Sequence, residues 1–590
     1  MLFKKYLTPI ISIFLLQLIA VVLMSANLLP LETRYFLTFF LVFCFLLLNL
    51  TEALILFIVS LPLFIAVPIS GVSDSISSWR ILIVVLFIKF VWEFIRLNIL
   101  EFKTTLPGSP LPRRGFKGRL SLLGRRLIFP LLTKEGLGEV VSKIKKLPYY
   151  NLLIFFSLFI FISLISLLVA QNVGAGIKKI FFLVNIVLLF PVVAFVIKSQ
   201  KDLLKIVKAV FFAGAFTVLV GYGQLLATFF IPLFNFWQFW AGEVVEVFYG
   251  QNLSRLLLYS NTWFSYYDTL PATLRMFSVM PDSHSFAMLV LLTIPFTLFL
   301  TVYYSSKSKK TTCLCFLNAC RNIKKENIKN ILLITFLTLS LLAIIFSGSR
   351  GIWVSSIFGL LAGVYLLSPY KFLNLKPYFK KIKLLAGDKR RGALIIFSVI
   401  IFFLVIPISN FTLKQNQISQ LSMEGLEMSD EEKSAFLKRA LSIADLSETS
   451  NKGRLEIWDL AVNSVLEHPF LGVGAGNFPV ILEQNYSASK MGSSAHNLYL
   501  EIAAEIGLFG LAVFLFILAE ILQKSYRLFW SLKNKSSKIF AGGFFAYAVW
   551  AFGYGLFDVV LFNDKVLILL VMSVGVLYSL EKAEGEEVKQ

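Results

Sequence analysis

Fourteen long apolar runs follow one another along this chain and limit what it can fold into. They have 16 to 26 residues, near the length that crosses the hydrocarbon core of a bilayer as a helix. They lie at residues 8–28, 35–50, 53–70, 80–100, 149–170, 177–197, 209–230, 285–304, 330–346, 352–368, 393–410, 497–522, 540–561 and 564–580. Because a helix satisfies its own backbone hydrogen bonds inside the bilayer, the sequence predicts an all-α polytopic membrane protein.

The overall composition supports placing these runs in a membrane. Of the 590 residues, 57% are hydrophobic and only 15% are charged, which is too apolar for a water-soluble core. The short runs 35–50 and 53–70 and the last run, 564–580, are the weakest candidates. The prediction is therefore twelve to fourteen transmembrane helices, with fourteen favoured.

The formal net charge of +22 would suggest nucleic acid as the partner of a soluble protein. Here, however, 35 of the 56 lysines and arginines lie in five segments between apolar runs, at 101–148, 198–208, 305–330, 369–392 and 523–538. If the N-terminus is inside, all five fall on the cytoplasmic side, as the positive-inside rule requires. The charge therefore reports membrane topology, and no nucleic acid is expected as a partner.

The spans and the segments between them predict six parts. These are N-terminal transmembrane helices at 1–100, a basic cytoplasmic or interfacial segment at 101–148, central transmembrane helices at 149–410 with an outer loop at 231–284, a large periplasmic helical loop at 411–495, C-terminal transmembrane helices at 496–580 and a cytoplasmic tail at 581–590. Within the large loop, apolar residues at helical spacing predict an amphipathic helix from Gly453 to Glu467, which His468-Pro469 ends.

Three short motifs surround the boundary between the large loop and the next apolar run. They are Gly453-Arg454 with Trp458, His468-Pro469 with Gly472 and Gly474, and His496-Asn497 with Tyr499-Leu500. The glycines allow backbone conformations that other residues rarely adopt. A polar loop then leads to His496, so the sequence predicts one imidazole at the boundary between water and membrane.

Arginines occupy similar boundaries elsewhere in the chain. Arg350 lies in the five residues 347–351 that separate two apolar runs, and Arg275 precedes another run. Together with Arg454 they offer forked donors that match phosphate oxygens. Histidine has an unperturbed pKa near neutrality, which suits the removal of a proton from a sugar hydroxyl.

These motifs resemble the signature region of the O-antigen ligase and polymerase superfamily. That superfamily carries the same three motifs in the same order, a Ser-Arg-Gly that corresponds to 349–351, and an arginine that corresponds to Arg275. The resemblance covers roughly residues 270–520 and implies a membrane glycosyltransferase of the GT-C type with a large helical outer loop domain. One departure is that Asp282 and His284 stand where the family often has asparagine and glycine.

The resemblance also implies a reaction. Ligases of this superfamily move a glycan from undecaprenyl diphosphate to lipid A–core on the periplasmic side of the bacterial inner membrane. The transfer needs no metal and no cofactor, and its partners are membrane lipid, the lipid-linked glycan donor and the glycan or lipid A–core acceptor. The implied site consists of His496 as general base and Arg275, Arg350 and Arg454 as diphosphate ligands, with Asn497 and Tyr499 of the His496 motif as auxiliary candidates. Asp282 and His284, where the chain departs from the family, are auxiliary candidates on the residues alone.

Each of these residues also has a purely structural interpretation. Arg350 could be a snorkelling arginine at a helix end, and Arg454 could pair with a carboxylate on a solvated face. His496 could simply lie next to a helix cap. His468 precedes a proline in a turn and is predicted to be structural, while His284 fits a site residue and an interfacial residue equally well.

Three other functions remain open at the level of sequence. An O-antigen polymerase or a protein O-oligosaccharyltransferase would share the motifs and differ in the acceptor. A transporter or flippase for lipid-linked sugars would also use many spans. Transporters place polar groups near the bilayer midplane, often on broken helices, whereas the distinctive polar groups here lie at span ends, which favours an enzyme.

Overall fold

The structure is a computed structural model that describes residues 2–68, 75–105, 149–258, 264–267, 270–307, 325–367, 449–485 and 494–587. Three predicted features lie mostly or wholly outside these residues. They are the basic segment 101–148, the apolar run 393–410 and the first part of the large loop 411–495.

The N-terminal part of the described chain is helical apart from one short antiparallel hairpin. It consists of α1 (Leu2–Ser25), α2 (Thr33–Leu47), α3 (Leu50–Ser60) with a 3₁₀ turn (Leu61–Leu63), β1 (Ala66–Pro68), β2 (Ser75–Ser77), α4 (Ser78–Thr105), α5 (Tyr150–Ile165) with a 3₁₀ turn (Ser166–Val169), α6 (Val173–Val187), α7 (Leu189–Val196) and α8 (Gln200–Ala227).

The segment predicted as an outer loop at 231–284 contains regular structure. Its elements are α9 (Leu233–Phe239), a π-helical turn (Trp240–Val244), α10 (Val245–Tyr249), α11 (Gln251–Leu258) and an antiparallel hairpin of β3 (Phe264–Tyr267) and β4 (Leu270–Leu274). The sequence did not predict this hairpin, because its alternating pattern is too short to stand out from the interfacial aromatics around it.

The C-terminal part is helical again. It consists of α12 (Ser283–Lys307), α13 (Lys325–Phe346), α14 (Arg350–Leu367), α15 (Thr449–Glu467), α16 (Phe478–Asn485), α17 (Leu498–Ser531), α18 (Lys535–Tyr554), a 3₁₀ turn (Val560–Phe562) and α19 (Asp564–Glu587). The predicted helix Gly453–Glu467 is confirmed as α15, which begins four residues earlier, at Thr449, and ends at Glu467 as expected. Leu455 and Val462 on this helix are exposed, so the apolar face is narrower than predicted.

Seven helical segments in the described part of the chain are long and apolar enough to cross a membrane. They are Tyr150–Val169, Val173–Val196, Gln200–Ala227, Ser283–Ser306, Ile328–Phe346, Leu498–Ser531 and Asp564–Gly585, and four shorter apolar helices accompany them. The chain is therefore a helical, multi-pass membrane protein. The larger number of twelve to fourteen spans stays a prediction.

The helices differ in how deeply they are buried. The apolar windows of α12 and α19 are 78% and 83% buried, while that of Tyr150–Val169 is only 22% buried. The first two helices therefore form the interior of the bundle, and the third presents most of its surface outward. Helix α18 packs against α12, α14 and α17 and runs antiparallel to them. Its C-terminal end consequently meets the N-terminal ends of three other helices.

Candidate active site

A group of polar side chains lies where α12, α14 and α17 begin and α18 ends. His284 is in the first turn of α12, and its Nδ1 lies 2.7 Å from Oγ of Ser349 and 2.8 Å from the hydroxyl oxygen of Tyr554. The Tyr554 hydroxyl in turn donates to Oδ2 of Asp558 at 3.3 Å. Four side chains from three segments of the chain are thus joined by hydrogen bonds.

The same aspartate also faces His496. Oδ1 of Asp558 lies 3.9 Å from Nδ1 of His496, which is an ion-pair distance but longer than a hydrogen bond. This Nδ1 is buried and makes no hydrogen bond within the described residues. Hydrogen bonds in a site without substrate are often this long and tighten when substrate binds. We call His284, Ser349, Tyr554, Asp558 and His496 the polar cluster.

Asp558 lies in the turn that follows α18, and the groups around it keep its carboxyl ionised. Burial alone would raise the pKa of this carboxyl, but His496, His284 and the N–H of Val559 outweigh burial and hold the pKa of Asp558 well below its usual range. Asp558 is therefore ionised at neutral pH and can only accept hydrogen bonds. An ionised acceptor facing Nδ1 favours a proton on that nitrogen and leaves Nε2 of His496 to act as a base.

The backbone around His496 fixes where its imidazole lies. His496 has a φ of +46°, a left-handed conformation that is uncommon for a residue with a side chain, and such strain tends to occur at functional sites. Its N–H donates to Oγ of Ser494 at 3.3 Å. Asn497 caps α17 by accepting two N–H groups of its first turn, and the N–H of Leu498 donates to the carbonyl of Gly555 at 2.7 Å. The start of α17 is therefore fastened to the end of α18.

The residue before His496 is held from two directions. Nε1 of Trp458 on α15 donates to the carbonyl of Ala495 at 2.9 Å, and the N–H of Ala495 donates to Oε2 of Glu501 at 3.1 Å. The other oxygen of Glu501 pairs with Lys179 on α6 at 3.1 Å. Trp458, the tryptophan of the first motif, thus has a structural role, since it connects α15 to the peptide that carries His496.

The glycine turn after α15 seats the loop on α17. Gly472 has a φ of +65°, and a Cβ there would overlap the carbonyl oxygen of Ala504. The N–H of Val473 donates to that carbonyl at 2.8 Å, and the N–H of Leu508 donates to the carbonyl of Pro469 at 2.9 Å. The second motif is therefore a docking turn, and a structural role for the side chain of its histidine stays a prediction.

Gly351 lets α14 pass close to the ring of Tyr554. A Cβ at this position would lie 2.9 Å from Cε2 of Tyr554 and 3.2 Å from Cβ of Phe557. We expect Gly351→Ala to destabilise the protein by about 1 to 3 kcal/mol through overpacking, as measured by thermal unfolding in detergent. Gly363→Ala on the same helix is the matched control, because a Cβ there meets nothing within 4 Å. Equal unfolding temperatures for the two variants would contradict this account of Gly351.

The three predicted arginines lie around the same end of the bundle. Arg350 is the first residue of α14, directly after a member of the polar cluster. Arg275 is followed by Met276, whose N–H donates to the carbonyl of Phe346 at 3.0 Å. Because Phe346 is the last residue of α13, Arg275 lies beside the turn that carries Arg350. Arg275 and Arg454 are both close enough for their charges to act on His284. All three arginines are partly buried.

The four auxiliary candidates differ in what they contact. The two carboxylate oxygens of Asp282 accept from the N–H and the hydroxyl of Ser285, both at 2.7 Å, so Asp282 caps α12. The Tyr499 hydroxyl donates to the carbonyl of Phe552 at 2.6 Å, and Asn497 is the cap of α17. These three side chains hold helix ends in place, whereas His284 belongs to the polar cluster.

Sequence reasoning missed Asp558 and Tyr554. Both fall in the apolar run 540–561, which the sequence predicts as a continuous span, but α18 ends at Tyr554 and Asp558 lies in the turn beyond it. The span boundary was therefore wrong by several residues, because the apolar residues of the following turn extend the hydrophobic run. An aspartate inside a predicted span was the available signal, since ionisable residues there are functional candidates by default.

A metal centre was not predicted. In the part of the chain that the structure describes, no three His, Cys, Asp or Glu side chains come together in a way that could hold a metal ion. Cys44 is a buried free thiol, and the other three cysteines lie outside the described residues. The expectation that the reaction needs no metal stays a prediction.

The fold and the polar cluster define a multi-pass membrane protein whose candidate site lies at helix ends, with an imidazole facing a carboxylate. Residues 335–515 match a family model described as O-antigen ligase. These residues are therefore an O-antigen ligase family domain, and the resemblance seen in the motifs is confirmed. The match includes Arg350, Arg454 and His496, while Arg275 lies before it. No curated protein matches the chain.

Proposed function

We propose that the protein is an O-antigen ligase-like glycosyltransferase. It moves a glycan from undecaprenyl diphosphate to an acceptor, with lipid A–core favoured, on the periplasmic side of the inner membrane. The observation that carries this proposal is that His496 faces the ionised Asp558 beside arginines, at the end of the family segment 335–515. An imidazole supported by a carboxylate is a suitable base, and guanidinium groups are suitable diphosphate ligands.

The proposed reaction assigns each group one step. Nε2 of His496 removes the proton of the acceptor hydroxyl as that oxygen attacks the anomeric carbon of the donor sugar. The bond from this carbon to the diphosphate oxygen breaks, and its electron pair leaves with the diphosphate. The arginines stabilise the charge that develops on the leaving group, an electrostatic contribution that is usually the largest in catalysis. Asp558 stabilises the imidazolium until His496 returns the proton to water.

The direction of the helices supports a periplasmic site. Helix α18 begins in the basic segment 523–538 and ends at the polar cluster, and α17 runs the opposite way between the same two places. Helix α8 also begins in a basic segment, 198–208, while Gln224 near its other end donates to the carbonyl of Ser278. Under the positive-inside rule the basic ends are cytoplasmic, which supports a polar cluster on the periplasmic side.

The test of this function is a transfer assay with the purified full-length protein in detergent, a lipid-diphosphate glycan donor and a chelator of divalent metals. Intact glycan on lipid A–core would support the ligase. Longer chains still on undecaprenyl diphosphate would identify a polymerase, and glycan on serine or threonine would identify a protein O-oligosaccharyltransferase. Donor movement across liposomes without transfer in any assay would overturn the enzyme and support a transporter.

Arg350 should require both its charge and its forked shape. We expect Arg350→Lys to lose most of the transfer activity, since lysine keeps the charge but cannot make the paired contacts to phosphate oxygens, and Arg350→Ala to lose more. The measurement is kcat/KM for the donor at matched protein levels. Wild-type values for both variants would return Arg350 to the role of a snorkelling arginine.

A further inference from the structure

Asp558 is linked to two histidines, directly to His496 and through Tyr554 to His284. Its Oδ1 faces Nδ1 of His496 at 3.9 Å, and its Oδ2 accepts from the Tyr554 hydroxyl, whose oxygen lies 2.8 Å from Nδ1 of His284. Nδ1 is therefore the ring nitrogen that leads to Asp558 in both histidines, directly in His496 and through the Tyr554 hydroxyl in His284. Neither the family segment nor the motifs contain His284, Tyr554 or Asp558.

The direction of these hydrogen bonds follows from the charge on the carboxylate. An ionised Asp558 can only accept, so the single hydroxyl proton of Tyr554 is directed to it. The oxygen of Tyr554 must then accept from His284, which places a proton on Nδ1 of that ring. The Ser349 hydroxyl, 2.7 Å from the same nitrogen, can accept from the same N–H.

We propose that Asp558 fixes the tautomer of both histidines, of His496 directly and of His284 through Tyr554, so that His284 presents Nε2 as a second acceptor that binds a sugar hydroxyl. The part that concerns the sugar rests on the proposed function. This hydroxyl belongs either to the donor sugar, which carries the anomeric carbon, or to the acceptor sugar that attacks it.

The surroundings of His284 explain why such an acceptor is useful at this place. Charged groups on several elements act on its ring: Asp558 after α18, Asp282 at the start of α12, Arg275 before it and Arg454 on α15. The arginines supply donors, which suit the diphosphate. A sugar next to the diphosphate has hydroxyl groups that need acceptors, and an unprotonated Nε2 of His284 provides one.

The tautomer can be measured without substrate, because the chain has only three histidines. The measurement is the ¹⁵N NMR spectrum of full-length protein labelled with ¹⁵N-histidine, at a pH above about 8, where an ordinary imidazole is neutral. We expect the ring proton to be on Nδ1 in both His284 and His496. His468, in the glycine turn, serves as an internal reference. Single His→Asn variants assign the three signals. A His284 proton found on Nε2 overturns the proposal.

Tyr554→Phe tests the route through the tyrosine. Without the hydroxyl, Ser349 can donate to His284 as well as accept, so His284 should populate both tautomers while His496 keeps the proton on Nδ1. The matched control is Tyr547→Phe, on the same helix, where the lost hydroxyl contacts Sδ of Met288 at 3.8 Å. If Tyr554→Phe leaves the His284 signals unchanged, the tyrosine does not connect it to Asp558.

The sugar contact is tested by transfer kinetics. We expect His284→Ala to reduce kcat/KM about 10- to 100-fold, as expected when a hydroxyl is left without its partner. His284→Gln should recover part of the loss, since the amide oxygen can accept. Wild-type kinetics for His284→Ala would overturn the contact. If the wild-type protein transfers no glycan at all, the proposed function fails, and the ¹⁵N measurement still decides the tautomer.

Discussion

Replacing His496 with alanine is expected to lower the rate of glycosyl transfer by about 10²- to 10⁴-fold, the usual contribution of a positioned general base. Donor binding should change little, because the arginines make the contacts to the diphosphate. The comparison to make is kcat against the dissociation constant for a lipid diphosphate in the same preparation. An unchanged kcat in a folded variant would refute the assignment, and His284 would become the next candidate.

The matched control for this variant is His468→Ala, which removes the same side chain from the glycine turn. It should keep near-normal kcat if it folds, since the His468 side chain is exposed and its backbone carbonyl accepts from the N–H of Gly472 at 3.0 Å.

Replacing Asp558 with asparagine is expected to be nearly as damaging, at about 10²- to 10⁴-fold in kcat, although the shape of the side chain is kept. The amide carries no charge to stabilise an imidazolium, and its N–H₂ group can oppose Nδ1 and favour the wrong tautomer of His496. The measurement is kcat at saturating donor. Wild-type kcat in this variant would show that the contact at 3.9 Å has no part in the reaction.

The charge of Asp558 persists across the neutral range of pH. The pKa of Asp558 is held well below its usual range, so this charge is lost only in strong acid. Asp558→Asn should therefore lower kcat at every pH near neutrality. The exposed Asp459→Asn on α15 is the matched control and should leave kcat unchanged.

Much of the local structure could be predicted from the sequence. Apolar runs identified the helices, because crossing a bilayer fixes both their length and their composition. Helical spacing and a following proline identified α15 and its end at Glu467. The segment that carries His496 was found through its motifs, and its place next to a helix start agrees with the cap at Asn497.

Helix ends near the site were harder to predict. Hydropathy reports how apolar a stretch is, and it does not report where the backbone leaves the helix. The run 540–561 stays apolar through the turn that follows α18, so Tyr554 and Asp558 looked like members of a span. The hairpin of β3 and β4 was missed for a related reason, since strands of four and five residues carry little pattern.

The sequence by itself predicted a helical membrane protein and identified His496, Arg350 and Arg454 as candidate site residues, because both predictions rest on short, local patterns. Only the tertiary structure decided which carboxylate supports the histidine. Asp558 is 62 positions from His496 and 274 from His284, and no local pattern relates them. Their meeting depends on α18 running antiparallel to α12, α14 and α17, so that its end reaches three helix starts at once. That arrangement is a property of how the helices pack.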